Sequence, residues 1–427
     1  MKRMVHAGIA AVAVGILLAG CASSGGSSGT QDKKVTLTFQ SLAFQDATIA
    51  ATKDIVASWN AKNPNIQVKL TQGSWDNVHD QLVTQFQGGT APDIIHDEAA
   101  DISGFAEQGY LADLGKYLSA GTKSQISKDV LKSVTDSSGE IVGAPTLLQS
   151  YVVFANTDSF KAAGVTVPTG KTLSWDDFAS IAKKTTGDGK FGLGWGLKSP
   201  TATVMNLALG FGGTFFSTKS GETSINVGKD ELAVPEAIHD MAFQDKSLDP
   251  VSLTQAGADV LPAFYSGQDA MYVGGNYIAQ TIVQSAPAGF NWTVLPPLAG
   301  STGTAQAADP QTLSVPKESK HVKEAAAFID YFMSNKNLSK IAEGDWLIPT
   351  ASAAQKQVLT DTKGANGWKE AIASAAQMEA APFASATNYP QWKDQIATPA
   401  LQQYFANQIT SDGLKKQLTD GWAQVNG

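Results

Sequence analysis

Val35, Leu37 and Phe39 alternate with Thr36 and Thr38, the two-residue period of a half-buried strand. Ile49, Thr52, Val56 and Trp59 then recur at helical spacing. Asn63-Pro64 ends that helix, because proline lacks an amide hydrogen and restricts the residue before it. Alternation returns at Ile66, Val68 and Leu70. Ser74 predicts the cap of a helix carrying Trp75, Val78, Leu82 and Phe86, Gly88-Gly89 stops it, and Asp93-Ile94-Ile95-His96 reads as a third short strand. This succession predicts a parallel sheet covered by helices, whose ligand crevice lies beyond the carboxyl ends of its strands. The loops after Phe39, Leu70 and Ile95 are therefore the first candidates for a site.

Gly143-Ala144-Pro145 interrupts the pattern, and the apolar run Tyr151 to Phe154 opens a second α/β unit. Ser174-Trp175-Asp176-Asp177 has the form of a capped helix start. Val204 to Leu209 reads as a helix that stops at Gly210 to Gly213; Ala325, Ala326, Ile329 and Phe332 mark another, and the chain beyond Gly367 is mostly helical. A length of 427 residues, 43% of them hydrophobic and 16% charged, suits two globular units with large cores. The formal charge of −8 offers no basic face, so no nucleic-acid partner is expected.

Ahead of the folded pattern stand Lys2 and Arg3, an apolar run from Ala7 to Leu18, and Leu18-Ala19-Gly20-Cys21. That order of charge, apolar run and small residues is a secretion signal, and the run falls short of the about 20 residues of a membrane-spanning helix. Cys21 is the sole cysteine, which excludes an intramolecular disulfide and a cysteine-cluster zinc site. Leu-Ala-Gly-Cys resembles the bacterial lipobox, whose cysteine receives a diacylglycerol and becomes the new N-terminus; the alternative is an ordinary signal with an incidental cysteine. The Ser/Gly-rich stretch from Ala22 to Thr30 suits a flexible tether. Loss of Lys2 and Arg3 leaves 29 basic against 39 acidic residues, a charge of −10, so the body should not lean on an anionic membrane.

Several ordered segments resemble the sugar-type extracellular solute-binding proteins of ABC importers, the group that includes the maltose-binding protein. They are Gly88-Gly89-Thr90-Ala91-Pro92-Asp93-Ile94-Ile95, Ala144-Pro145 followed by Val153 to Asp158, Leu173 to Phe178, Phe264 to Met271 with Gly275, Ala325 to Ile329, and Leu347-Ile348-Pro349-Thr350. Ala155 departs from the residue usual there. The resemblance implies an α/β, two-lobed periplasmic-binding-protein-like fold with hinge crossovers and a ligand cleft between the lobes. Residues 1–20 are then the lipoprotein signal and 21–34 the tether. Residues 35–148 with 310–350 form the first lobe, and 149–309 with 351–427 the second. It further implies a monomeric receptor, anchored by lipid at the extracytoplasmic face of the bacterial cell membrane. There it binds a mono- or oligosaccharide and delivers it to ABC permease subunits, with no cofactor, no metal and no catalysis.

The resemblance places Tyr277 where the family commonly sets a ring under the sugar, since an aromatic face matches the C–H face of a pyranose. Asn276 beside it offers a donor and an acceptor. Asp97 and Glu98 follow the third strand and are expected on a crevice loop, where carboxylates accept hydrogen bonds from paired hydroxyls. Gln149, Asp309 and Trp346 fall at the first, second and third implied crossovers. Trp75 beside a crevice loop and Trp195 among glycines are further stacking candidates, against the ordinary role of large aromatics in cores. The loop Ser41 to Asp46 is well placed, but its inward side chains are not legible.

Gly187-Asp188-Gly189-Lys190-Phe191-Gly192 matches the dinucleotide fingerprint formally, yet a helix precedes it and a strand follows, the reverse of what phosphate cradling needs. The histidines form no zinc-binding pair, and no nucleophile elbow appears. Two alternatives stay open: the same fold binding another solute, and a surface carbohydrate hydrolase using paired carboxylates such as Asp97 and Asp309. Cys21→Ser should release the protein from the membrane or leave it unprocessed; fractionation that finds the variant both processed and membrane-bound contradicts acylation at Cys21.

Overall fold

Two sheets organise the chain, and each is the floor of its own hydrophobic core. The computed structural model describes residues 34–219 and 222–426; the signal, most of the tether and Cys21 lie outside them. In the first sheet the spatial order is Ile66–Gln72, Val35–Ser41, Ile94–Glu98, Gln311–Ser314, Ala144–Pro145. The first three strands are parallel, as their helical connections require, with Val35 opposite Ile66 and Phe39 opposite Ile94. Gln311–Ser314 returns antiparallel, Leu313 opposite His96. Helix Asp46–Lys62 buries Ala51, Ile55, Val56 and Trp59 on this sheet, and the Trp59 indole donates to the Ile66 carbonyl at 2.9 Å. The helix expected from Ser74 starts later, at Val78. Ser74 Oγ instead accepts the Asp76 amide at 3.1 Å and Asn77 turns through φ 58°, leaving Trp75 in the preceding loop.

The second sheet runs Trp292–Val294, Tyr151–Asn156, Asp269–Gly275, Phe191–Trp195. Its glycine-spaced strand is explained by the helix above it: a Cβ on Gly192 would stand 1.8 Å from the Ala182 carbonyl oxygen in helix Trp175–Lys184. That helix is capped as its sequence predicts, Ser174 Oγ accepting the Asp177 amide at 3.1 Å. The formal dinucleotide motif is a tight turn between this helix and the strand, closed by mutual Gly187 and Lys190 backbone bonds.

Among the described residues the chain passes between the two cores three times. The first passage spans Thr146 to Ser150 and the second Gln306 to Asp309. The third lies at Met378 to Ala381, where buried residues change from the first core to the second. The division at residue 351 assigned the following stretch to the second lobe. In the structure helix Ser352–Thr362 packs on helix Asn335–Asp345, and Ala354, Val358, Trp368 and Ala371 sit in the first core. Segments implied by family spacing thus moved with their apolar faces, which the packing of neighbouring helices decides.

Asp269 opens a central strand of the second sheet, fully buried beside Asp249, and neither of its carboxylate oxygens meets a donor. Burial first, then the neighbouring acid, pushes its pKa up to about 7. The folded state therefore keeps a proton that the unfolded chain releases, so this group's contribution to stability falls as pH rises from the ordinary carboxylate range through about 7. Thermal melts should show Asp269→Asn raising Tm at pH 8 and raising it less at pH 5; a larger gain at pH 5 contradicts the assignment.

Candidate functional site

A cavity of about 190 Å³ opens at the ends of the second sheet's strands, lined by Gln149, Tyr151, Trp195, Thr203, Gly275 and Tyr277 among others. Its shape depends on Gly275. A Cβ there would lie 2.4 Å from Cε1 of Tyr277 and 3.0 Å from the Gln149 side-chain carbon, so ring and amide rest directly on backbone. Tyr277 is half-buried and meets Phe44 edge-on, ring centroids 6.4 Å apart at 84°. Phe44, 53% exposed, comes from the loop after the first strand and is the residue of that loop whose ring meets Tyr277, a contact that the sequence did not reveal. Trp195 is 1% exposed and forms the cavity floor, its amide donating to Ser252 Oγ at 3.0 Å and its ring near Trp175.

Carboxylates collect around the end of the third strand and the helix that follows it. The third strand runs on to Glu98, so Asp97 is a strand residue opposite Thr312, where a loop was expected. Asp97 is fully buried: Oδ1 accepts the Glu98 amide at 2.9 Å, and Oδ2 has no partner. Asp309 Oδ1 accepts the Ala100 amide at 3.0 Å, at the N-terminus of helix Ala99–Glu107, where an acid complements the helix dipole. Burial, then Asp101, holds the Asp97 carboxyl well above the usual range. Burial, then Asp309 and Asp101, does the same for Glu98. Asp309 is raised to about 6 by burial, with the Ala100 amide opposing. Burial would lower the pKa of Lys393, but Asp101, Asp394, Glu98 and Asp309 outweigh it and raise that pKa. Glu98 also raises the pKa of Tyr277 and Tyr151, after burial, although none of these carboxylates lines the cavity itself.

Two predicted contacts belong to the hinge instead. Asn276 is buried; its Oδ1 accepts the Ser150 amide at 2.9 Å and its Nδ2 donates to the Trp346 carbonyl. Both ends of the amide are committed to backbone, so Asn276 fastens strands where a ligand contact was expected. Trp346 adopts φ 55°, costly for a bulky residue, while its ring stacks on Trp368 at 5.2 Å and 26°. It lies outside the cavity. Trp75 packs its edge against His96 at 5.5 Å on the first-sheet side and does not line the cavity either. His96 accepts the Leu42 amide on Nδ1 at 3.0 Å, which leaves Nε2 to donate to Gln311 Oε1. Burial lowers its pKa to about 4 and keeps it neutral. Among the described residues no three His, Cys, Asp or Glu side chains are placed to hold a metal ion.

Tyr151, Lys393 and Tyr389 were not legible as site residues. Tyr151 sits inside an apolar run that reads only as strand, and the other two come from the distant C-terminal segment. That segment reaches the cleft because helix Ala99–Glu107 rests on the turn Pro382–Ser385, and Ala100 is buried in the second core.

Residues 38–338 match the model of the bacterial extracellular solute-binding proteins. The chain belongs to that family. A lipoprotein of Streptomyces antibioticus, described as the uncharacterized lipoprotein in the oleD 5′ region, is 42% identical over 398 residues, 92% of this chain and 87% of the relative. The multiple sugar-binding protein of Streptococcus mutans is 25% identical over 350 residues, 77% of this chain and 78% of its own. Among solved structures, the GacH receptor of Streptomyces glaucescens superposes with a TM-score of 0.76 at 20% identity, over 92% of this chain and 98% of that one. This solute-binding protein therefore has the two-lobed fold; its cavity is lined by residues 149–277, and Phe44 of the first lobe reaches the Tyr277 ring at its border. No helix among the described residues is long and apolar enough to cross a membrane.

Asn276→Ala leaves the Ser150 amide and the Trp346 carbonyl without partners, at about 1 to 3 kcal/mol for each buried group. Denaturant unfolding should show a loss of that order; an unchanged midpoint contradicts the hinge role.

Proposed function

We propose that this solute-binding protein is a lipid-anchored receptor that captures a mono- or oligosaccharide at the extracytoplasmic membrane face and delivers it to an ABC permease. The observation that carries the reading is the Tyr277 ring packed so closely on Gly275 that no Cβ would fit, with the Gln149 amide beside it, both bordering the cavity. A pyranose presents an apolar face to such a ring and a rim of hydroxyls to amides and carboxylates. A cavity of about 190 Å³, below the roughly 300–1,000 Å³ of drug-sized pockets, suits one sugar ring in this arrangement of the lobes. Gln149, Trp195 and Tyr277 contact the sugar from the second lobe, and Glu98, Asp97 and Asp309 shape its acidic wall from the first. The names of the Streptococcus mutans relative and of the maltodextrin-binding protein of Bacillus subtilis, 24% identical over 82% of this chain, support a saccharide. Enclosing a solute between lobes requires no proton transfer, so the receptor is read as non-enzymatic and monomeric. Cys21 is its lipid attachment point.

A solute that touches both lobes stabilises the arrangement in which Phe44 meets Tyr277. Small-angle scattering with the cognate sugar should therefore give a smaller radius of gyration, with the sugar recovered intact. Tyr277→Ala should weaken binding by about 1 to 3 kcal/mol with little change in Tm. A tight ligand that leaves the scattering unaltered, or one recovered hydrolysed, contradicts the receptor reading.

A further inference from the structure

The central strand Asp269–Gly275 ends at the cavity, and the direction of its last peptide groups can be read from its neighbours. On one side it pairs antiparallel with Tyr151–Asn156, Gly275 opposite Tyr151. In such a ladder a residue turns its amide and its carbonyl to the same side, and successive residues alternate. Tyr151 turns both groups to the Gln306 side chain, at 2.7 and 2.9 Å, so it is not the bonded partner of Gly275. The Asn276 amide, next along the chain, donates back to the Ser150 carbonyl at 2.8 Å. Gly275 between them therefore directs its N–H and C=O to the opposite side, towards Phe191–Trp195.

That strand stops one rung short. Its last pair is Trp195 with Val273, after which the chain leaves: the Leu197 amide donates to the Ser252 carbonyl at 2.9 Å and the Lys198 amide to the Gln255 carbonyl at 3.0 Å. The rung that would join the Gly275 amide to the Gly196 carbonyl is not made. Among the described residues neither polar group of the Gly275 backbone has a hydrogen-bond partner, although Gly275 is buried and lines the cavity with Gly196 and Gly274. Buried backbone groups are almost always paired, with protein or with ordered water. Here the open side is the cavity, so the partner comes with whatever fills it.

Resting on the saccharide reading, we infer that Gly275 binds the solute through its main chain, holding two adjacent hydroxyls of one sugar ring. One hydroxyl accepts from the Gly275 N–H and its neighbour donates to the C=O, a pairing that suits a vicinal diol because each hydroxyl can both donate and accept. Tyr277 and Gln149 rest on the same glycine, so the aromatic ring and the side-chain amide are fixed relative to these two backbone groups. An extended peptide can also add to a strand edge. The space beyond this edge is closed, however: a Cβ on Gly196 would stand 2.4 Å from Cα of Gly257, and both glycines line the cavity, so backbone meets backbone on its far side. A site that hydrogen-bonds a hydroxyl rejects the analogue lacking it, because its own buried group is then left unpaired. The solute is thus a sugar with a free vicinal diol, and loss of either hydroxyl is discriminated against.

The test is calorimetric titration of the mature protein with glucose, galactose, mannose and maltose, and with the monodeoxy analogues of those that bind. Two neighbouring positions should each cost about tenfold or more in Kd, and the others less. An ester in place of the Gly274–Gly275 peptide bond removes the Gly275 N–H without adding a side chain. The deoxy penalty should then fall towards one at the accepting position and persist at the donating one; a folding defect would weaken all analogues alike. In protein labelled with 15N-glycine, the Gly275 amide proton should move downfield and exchange with solvent about tenfold or more slowly once the sugar is bound. Penalties spread evenly over all positions, or a bound sugar that leaves the Gly275 amide unmoved, overturn the inference and leave the sugar receptor standing. A large loss of Tm in the sugar-free ester shows that the N–H already has a partner in the protein and overturns it as well. Trialanine binding more tightly than any sugar, with the Gly275 shift, overturns the diol in favour of a peptide edge. Absence of binding by every saccharide removes the saccharide reading and the inference with it.

Discussion

Everything in the cleft hangs from the fastening of three chain passages to one another. Gln306 in the second passage imitates a strand neighbour with its side chain: Oε1 accepts the Tyr151 amide at 2.7 Å and Nε2 donates to the Tyr151 carbonyl at 2.9 Å. The third passage joins the second through the Ala308 amide, which donates to the Glu379 carbonyl at 2.7 Å. Asn276 then ties the first passage to the loop at Trp346. Buried amides bonded at both ends are costly to break, because each broken bond strands a desolvated group. The residues that border the cavity are immediate neighbours of these fastenings: Gln149 and Tyr151 flank Ser150, and Tyr277 follows Asn276. Asp309, in the acidic wall, follows Ala308. A rotation of one lobe about these points therefore moves binding groups as rigid extensions of the hinge, the kind of motion that a few passage residues can absorb.

Sequence pattern reveals the elements and conceals their allegiance. The parallel core of the first sheet follows from alternation at Val35 to Phe39 and Ile66 to Leu70, and helical spacing at Ile49 to Trp59, because burial on one face imposes those periods. The same logic fails for helices Ser352–Thr362 and Trp368–Ser374, since an apolar stripe states that a face is buried without stating against which sheet. Tyr277 and Gln149 lie on the cavity because family spacing marks their strand ends. Asn276 carries the same donor and acceptor whether it meets a ligand or a backbone, so residue type could not separate the two uses. Phe44, Tyr389 and Lys393 were hidden for a third reason: each reaches the cleft from a loop or a distant segment, through tertiary packing that no local period records.

Asp97, like Asp269, departs from the way most acids of the molecule are satisfied. Asp93, for comparison, is satisfied by the Thr38 amide and hydroxyl at 2.8 and 2.9 Å, and Asp345 by the Thr48 hydroxyl. Asp97 keeps an oxygen without a partner although it is among the most deeply placed acids of the first lobe. A buried carboxylate left in this condition raises the energy of its ionised form and shifts towards protonation. Such departures from local consistency store energy that neighbouring contacts must offset.

Charge and closure then become one equilibrium. The four acids come from the first lobe and the second passage, whereas Lys393 and Tyr389 arrive with the C-terminal segment packed in the second core. Bringing the lobes together moves water out of the space between them, and each carboxylate repels its neighbours more strongly as the local dielectric falls. An empty closed cleft is thus opposed by its own charge unless protons are taken up. A solute that supplies donors to both sides removes that opposition only when the lobes have met, which is the differential interaction that a conformational change requires. The fastened amide of Asn276, bonded to the Ser150 amide and the Trp346 carbonyl, holds the first passage and the loop at Trp346 together through any such motion.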